Sequence, residues 1–186
     1  MTMELLGEPL PGVLELQARA VVDSRGTFAE TFNRKTMADF GVNSEFVQDN
    51  ESFSSSSGTV RGLHLQAEPH AQGKLVRVLH GAIFDVAVDL RLNSPTVGQS
   101  TSFELRAGDN RAIWIPAGFA HGFCTLADET VVSYKVTAFY APDYERSIRF
   151  DDPDLAIDWP VDSVDAILSE KDSIAPSFAD FLRGLG

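Results

Sequence analysis

Cysteine is nearly absent: Cys124 is the only one in 186 residues. A lone thiol excludes an internal disulfide and a multi-thiolate metal site. Positive charge is scarce as well. Lys plus Arg number 15 against 27 Asp plus Glu, for a net charge of -12. A polyphosphate backbone repels a chain this acidic, which argues against nucleic acid as a partner. An anionic ligand would need a local cluster of Arg and Lys. No apolar run reaches membrane-spanning length. The start, Met1-Thr2-Met3-Glu4, lacks a basic region followed by an apolar stretch. The expectation is a soluble, cytoplasmic protein with no membrane partner. Repeats and linkers are also missing, so one domain over 1–186 is expected.

What is present suits a globular fold. Hydrophobic residues make up 44% and charged residues 23%, close to the average for folded domains. At this size, folding buries about 70% of the extended surface, and the core needs no staple.

Residues 74–91 carry the clearest pattern. His80-Gly81 marks a turn. Beyond it Phe84, Val86, Val88 and Leu90 share one strand face, while Asp85, Ala87, Asp89 and Arg91 share the other. Acids on one face suit a barrel lined by a polar pocket. Further strands are predicted over 60–66, 100–105, 111–115, 119–126, 130–140 and 145–150, with turn residues between them. Ser52–Gly58 reads as a polar loop. Helices are few. Residues 33–40 form two turns, with Asn33 as N-cap and Gly41 as stop. A last short helix follows Ser177, where Phe178, Phe181 and Leu182 fall on one side and Gly184 ends the run. Many short strands mean a β-sandwich or barrel.

Two histidines stand in informative settings. His121 lies in Pro116-Ala117-Gly118-Phe119-Ala120-His121, the P-x-G-x-x-H shape of the cupin jelly roll. His64 lies in Arg61-Gly62-Leu63-His64-Leu65-Gln66. Metal-binding cupins usually pair that histidine with a second one at the position of Gln66. Glutamine is a poor ligand for the metals imidazole favours, so no metal is expected. His64 has two readings: a packed core residue, or a general base whose ordinary pKa lies near neutrality. Tyr134 is either core or a proton donor. Lys74, at a strand entrance, is either solvated or turned inward to stabilise an oxyanion.

The chain resembles the dTDP-4-dehydrorhamnose 3,5-epimerases, metal-free cupins of nucleotide-sugar biosynthesis. The similarity runs from about residue 12 to about residue 177. Matching stretches include Asp23–Glu30, Phe46–Asn50, Arg61–Gln66, Gln72–Arg77, Phe84–Arg91, Ile115–Phe123, Tyr134-Lys135, Tyr140–Pro142 and Ser169–Asp172. Each is weak alone; their joint order and spacing are specific. Phe150 departs from the family, standing where many relatives have Trp.

The resemblance implies a mostly β, cupin-type jelly roll, a homodimer with exchanged N-terminal segments, and no redox cofactor. It implies inversion of C3 and C5 of dTDP-4-dehydro-6-deoxy-D-glucose, giving dTDP-4-dehydro-L-rhamnose. His64 would be the base, Asp172 its orienting acid, Tyr134 the proton donor on the other face, and Lys74 the stabiliser of the enolate. Arg25, Arg61 and Lys171 would hold the diphosphate end. Glu30, Gln48, Asn50, His121, Tyr140 and Glu145 match ligand-contacting positions, with Tyr140 stacking on thymine. Without the resemblance, Asp172 reads as a solvated turn acid. Single-centre epimerases keep the same acid–base set. A ketoisomerase and a non-catalytic sugar-binding or metal-sensing cupin remain as further readings.

Overall fold

Both faces of the best-patterned strand are apolar-packed in the computed structural model, which describes residues 2–184. That strand, β8 (Ala82–Asp89), is almost wholly buried. Ile83 and Ala87 join the core between two sheets, while Val86, Val88 and Leu90 pack outward against Leu155, Phe181 and Ile148. Alternation along a strand therefore separates two hydrophobic layers here rather than core from solvent.

The remaining strands are β1 (Met3–Gly7), β2 (Leu14–Ala18), β3 (Ala20–Asp23), β4 (Gly26–Ala29), β5 (Gln48–Ser54), β6 (Val60–Gln66), β7 (Lys74–His80), β9 (Ser100–Arg106), β10 (Arg111–Ile115), β11 (Phe119–Thr125), β12 (Thr130–Val136) and β13 (Glu145–Ser147). They form a six-stranded sheet ordered β1-β2-β10-β7-β12-β5, a five-stranded sheet ordered β13-β6-β11-β8-β9, and a separate hairpin of β3 and β4. Pairing between these strands is antiparallel throughout. The result is a jelly-roll-type sandwich of two sheets, and the sheets do not join into one closed barrel.

Between the sheets lie Val76, Val78, Ile83, Phe103, Leu105, Ile113, Ile115, Phe119, Phe123 and Val132. The outer face of the larger sheet is covered by α1 (Arg34–Asp39), whose Met37 is buried against Leu16, Leu75 and Trp114. Asn33 caps α1 by accepting from the Lys35 and Thr36 amides, and Gly41 follows with φ +85°. The outer face of the smaller sheet is covered by the C-terminal segment, including α2 (Glu170–Ser173) and α3 (Phe178–Arg183).

The expected strands are present, with shorter ends at 130–136 and 145–147. Ser52, Phe53 and Ser54 belong to β5 rather than to a loop. Asp89 is a correction to the polar-pocket reading of its face. It is buried and ties down the following turn, accepting from Arg91, Ser94 and Thr96. Those bonds hold its carboxyl far below the ordinary range, against the effect of burial.

Candidate active site

Two glycines set the register of the site. A Cβ on Gly62 would lie 2.5 Å from the Gly122 Cα, and Gly62 has φ +127°. A Cβ on Gly122 would lie 2.8 Å from the Arg61 carbonyl oxygen. Only glycine at both positions lets β6 and β11 approach this closely. The close approach sits at a bulge between His121 and Phe123, and it brings His121 opposite His64.

His64 Nε2 is 2.5 Å from Asp172 Oδ1. Asp172 is buried in α2, where its amide donates to the N-cap hydroxyl of Ser169. Burial works to raise the Asp172 carboxyl. The hydrogen bond and charge of His64, with support from Ser169 and the Gly62 N–H, outweigh it and hold the pKa below its ordinary value. Asp172 thus stays ionised and fixes the imidazole ring. With Nε2 committed to Asp172, Nδ1 carries the lone pair that can take a proton.

Lys74 and Tyr134 come from the opposite sheet, on β7 and β12. Tyr134 shares its face with Val132 and Val136, both fully buried. Burial raises the Tyr134 phenol above its ordinary pKa, with Glu145 acting the same way and Arg61 opposing. Tyr134 is therefore a proton carrier, not a phenolate, near neutrality. Lys74 Nζ donates to the His64 carbonyl at 3.2 Å. Burial pushes its ammonium down to about 8, against the pull of Asp85 and Glu145.

Asp85 completes this inner surface. It is fully buried, and its Oδ1 lies 2.7 Å from His121 Nε2. Burial lowers the His121 pKa, with Lys74 and His64 pushing the same way and Asp85 opposing.

Two cavities flank the set. The larger, about 510 Å³, is lined by Ser52, Ser54, Arg61, His121, Ser169 and Asp172 among others. The smaller, about 300 Å³, is lined by Gln48, Asn50, Gln66, Gln72, Tyr140 and Glu145 among others. His64, Lys74 and Tyr134 line both. The three groups best suited to move protons and hold charge stand where the two cavities meet.

Most of the other expected contacts gather here. Arg61 lines the larger cavity and is steadied by Ser54 Oγ and the Phe53 carbonyl. Lys171 Nζ pairs with Glu145 Oε1 at 2.5 Å, and the Tyr140 hydroxyl donates to Glu145 Oε2 at 2.9 Å. Burial works against the Glu145 carboxylate, but these partners hold its pKa below the ordinary value. Arg25 and Glu30 do not line either cavity. Arg25 sits at the tip of the β3–β4 hairpin, exposed and paired with Asp23. Glu30 accepts from Thr2 and Asn33.

Sequence reasoning missed six contributors. Ser52, Ser54 and Ser55 line the larger cavity, hidden by a serine run that reads as loop. Asp85 carried a signal, an acid on an apolar strand, but no assigned task. Gln66 and Gln72 carried none beyond a missing metal ligand. Among the described residues, no group of three or more His, Cys, Asp or Glu is placed to hold a metal ion.

The family model for dTDP-4-dehydrorhamnose 3,5-epimerase matches residues 8–180. A dTDP-4-dehydrorhamnose 3,5-epimerase of Sinorhizobium fredii is 52% identical over 169 residues, covering 89% of this chain and 84% of the relative. The crystal structure of the Bacillus anthracis epimerase, with TDP and PPi bound, aligns with a TM-score of 0.92 at 45% identity. It covers 95% of this chain and 99% of the other. A Legionella pneumophila 3,5-epimerase in complex with dTDP-4-keto-L-rhamnose aligns with a TM-score of 0.89 at 43% identity, covering 94% and 92%.

Proposed function

The chain belongs to the dTDP-4-dehydrorhamnose 3,5-epimerase family, and on that premise we propose that it inverts C3 and C5 of dTDP-4-dehydro-6-deoxy-D-glucose. The product is dTDP-4-dehydro-L-rhamnose. One observation carries the reading: His64 on one sheet, paired with Asp172 of the short helix α2, meets Tyr134 and Lys74 of the other sheet where two cavities join.

The chemistry follows from the ketone at C4. It acidifies the adjacent C–H bonds. His64 Nδ1 takes the proton from one face, and the electron pair moves to the C4 oxygen as an enolate. Asp172 stabilises the imidazolium that forms. The Lys74 ammonium faces the developing oxyanion in a partly dry site, where a charge is worth more than in water. Tyr134 delivers a proton to the same carbon from the other face, and the electron pair returns from oxygen to carbon. The carbon is inverted. His64 then loses its proton to water and Tyr134 regains one, so the sugar's composition is unchanged. No redox step occurs.

The nucleotide is held by local positive charge in a chain of net charge -12. Arg61 lines the larger cavity, and Lys171 pairs with Glu145, which lines the smaller one; Gln48, Asn50, His121, Tyr140 and Glu145 are further contacts. Arg25 and Glu30 act across a homodimer. The hairpin that bears Arg25 pairs with neither sheet, and its Val21, Val22 and Phe28 are 63%, 73% and 74% exposed. Apolar side chains so placed favour burial against a second copy, which would carry Arg25 to the partner's cavity. Residues 1–186 act as one catalytic domain. We place it in the cytoplasm, where a buried, unpaired Cys124 stays reduced.

Proton NMR in D₂O tests the reading. Deuterium is expected at both C3 and C5 of the 4-keto sugar nucleotide, with L-rhamno product trapped by a reductase. Exchange at one carbon alone would assign a single-centre epimerase. An intact, unexchanged substrate would refute the activity.

A further inference from the structure

Four residues after β12, Ala138 to Ala141, belong to no strand or helix. Each is held by a glutamine side chain. Gln72 Nε2 donates to the Ala138 carbonyl at 2.6 Å. Gln66 Nε2 donates to the Phe139 carbonyl at 3.2 Å. Gln48 Oε1 accepts from the Tyr140 N–H at 3.1 Å. Gln66 Oε1 accepts from the Ala141 N–H at 2.8 Å. Gln48 and Gln66 sit on separate sheets, and Gln72 precedes β7.

Gln66 is the centre of the arrangement. It is 4% exposed, and its amide also donates to the His70 carbonyl at 2.7 Å. That bond ties in the loop before β7, where the His70 ring lies 4.4 Å from Tyr144. Every polar atom of the Gln66 side chain is thus used on backbone. At this position both amide hydrogens are committed to backbone carbonyls, so the side chain has no donor left for a ligand.

The held segment gains little from packing. Phe139 and Tyr140 are 67% and 56% exposed. Few buried contacts and four irregular residues would otherwise leave the segment mobile. The hydroxyl end of Tyr140 is tied as well. It donates to Glu145, and Glu145 is the register partner of Gln66 on β13. The Gln66 side chain therefore holds the backbone on either side of Tyr140, while strand pairing places Glu145, which takes the hydroxyl, beside it.

We propose that Gln66 and Gln72 are positioning residues that, with Gln48, clamp residues 138–141 so that Tyr140 is held in one place on the rim of the smaller cavity. The clamp acts on binding rather than on proton transfer, because its bonds end on the backbone beside Tyr140 and not on His64, Lys74 or Tyr134. Only the identity of the ligand that Tyr140 meets rests on the function proposed above.

The test uses Gln66→Met and Gln72→Met, which keep side-chain length and remove the hydrogen bonds. Amide hydrogen exchange is read first, without substrate. In Gln66→Met the Ala141 amide is expected to exchange at least about tenfold faster, since three bonds are lost, while the Val132 amide is unchanged. Gln72→Met loses one bond, so about fivefold faster exchange at Tyr140 is expected. It carries the test should Gln66→Met not fold. Calorimetry with dTDP and steady-state kinetics follow. Kd and KM are expected to rise about tenfold in Gln66→Met, with kcat within about threefold. Unchanged exchange at Ala141 and Tyr140 would overturn the clamp. Faster exchange with unaltered Kd and KM would overturn its bearing on the ligand. Failure of the parent protein to epimerise would count against the proposed function alone, since the exchange measurements need no turnover.

Discussion

Replacing Lys74 with methionine should stabilise the fold while removing turnover. Lys74 is a buried ammonium whose pKa falls from 10.5 to about 8 on burial. A fall of that size means folding works against the charge by about 3 kcal/mol. The cost is fully present below pH 8, where Lys74 is protonated both folded and unfolded. It fades between pH 8 and 10.5, as the folded state gives up its proton first. Methionine has nearly the same shape and no charge to desolvate. It forfeits the hydrogen bond to the His64 carbonyl, worth about 1 kcal/mol. Asp85 keeps His121 as a partner, and without the Lys74 charge His121 holds a proton more readily. The net expectation at pH 7 is a gain of about 2 kcal/mol, or about 6 °C in Tm for a domain of this size. Urea melts of both proteins at pH 7 and pH 10 check it, and the advantage should shrink at the higher pH. Turnover should fall by about 10²–10³-fold, as for the loss of an oxyanion donor. A Lys74→Met protein less stable than the parent at pH 7, or an advantage independent of pH, would refute the reasoning.

Other outcomes follow from the same geometry. Turnover should decline as pH rises through about 8, where Lys74 loses its proton; Asp85→Asn removes a charge that favours the ammonium, so its alkaline limb should lie at lower pH. Asp172→Asn should lower kcat by about 10²-fold or more while dTDP affinity, measured by calorimetry, stays within about twofold. Gly122→Ala forces a Cβ within 2.8 Å of the Arg61 carbonyl oxygen; urea melts should show a loss of about 1–3 kcal/mol. Arg25→Ala and His64→Asn chains should each be nearly inactive alone and recover about a quarter of parent activity when co-expressed, if each cavity takes its arginine from the partner; no recovery would place Arg25 at its own chain's cavity, and an active Arg25→Ala protein would place it outside the site.

Sequence pattern revealed the β-rich class and most strands, because period-two alternation survives wherever a strand lies between layers. It failed where a second force intervened. β5 is polar at Gln48, Asp49, Asn50, Ser52 and Ser54, because it lines a cavity on one face and reaches the sheet edge on the other. β1 and β2 escaped notice because Met3–Gly7 and Leu14–Ala18 are short and broken by the turn between them. Among site residues, His64, Lys74 and Tyr134 were legible as chemistry-bearing types in strands. Asp172 was not. A carboxylate in a one-turn helix reads as solvated, and only the fold shows it 2.5 Å from His64 Nε2. The clamp of glutamines was invisible for a related reason, since Gln66 and the backbone it holds at 139 and 141 are separated by more than seventy residues.

The site and the core are the same surface, and this explains the placement of charge. Tyr134 alternates with Val132 and Val136 on one strand; Asp85 alternates with Ile83 and Ala87 on another. Whatever holds the sheets together therefore holds the proposed acid–base groups on facing walls at a fixed spacing, as removing a proton from one face of a ring and returning it to the other requires. Burial also tunes them. It keeps Tyr134 protonated and leaves Lys74 only just charged near neutrality. A surface lysine would be charged at any physiological pH, but water would screen it from the enolate. The buried one is a stronger stabiliser at a cost in folding free energy. If the enolate step needs that charge, stability removed by Lys74 and rate supplied by it are two readings of one desolvation, and no substitution at this position should improve both.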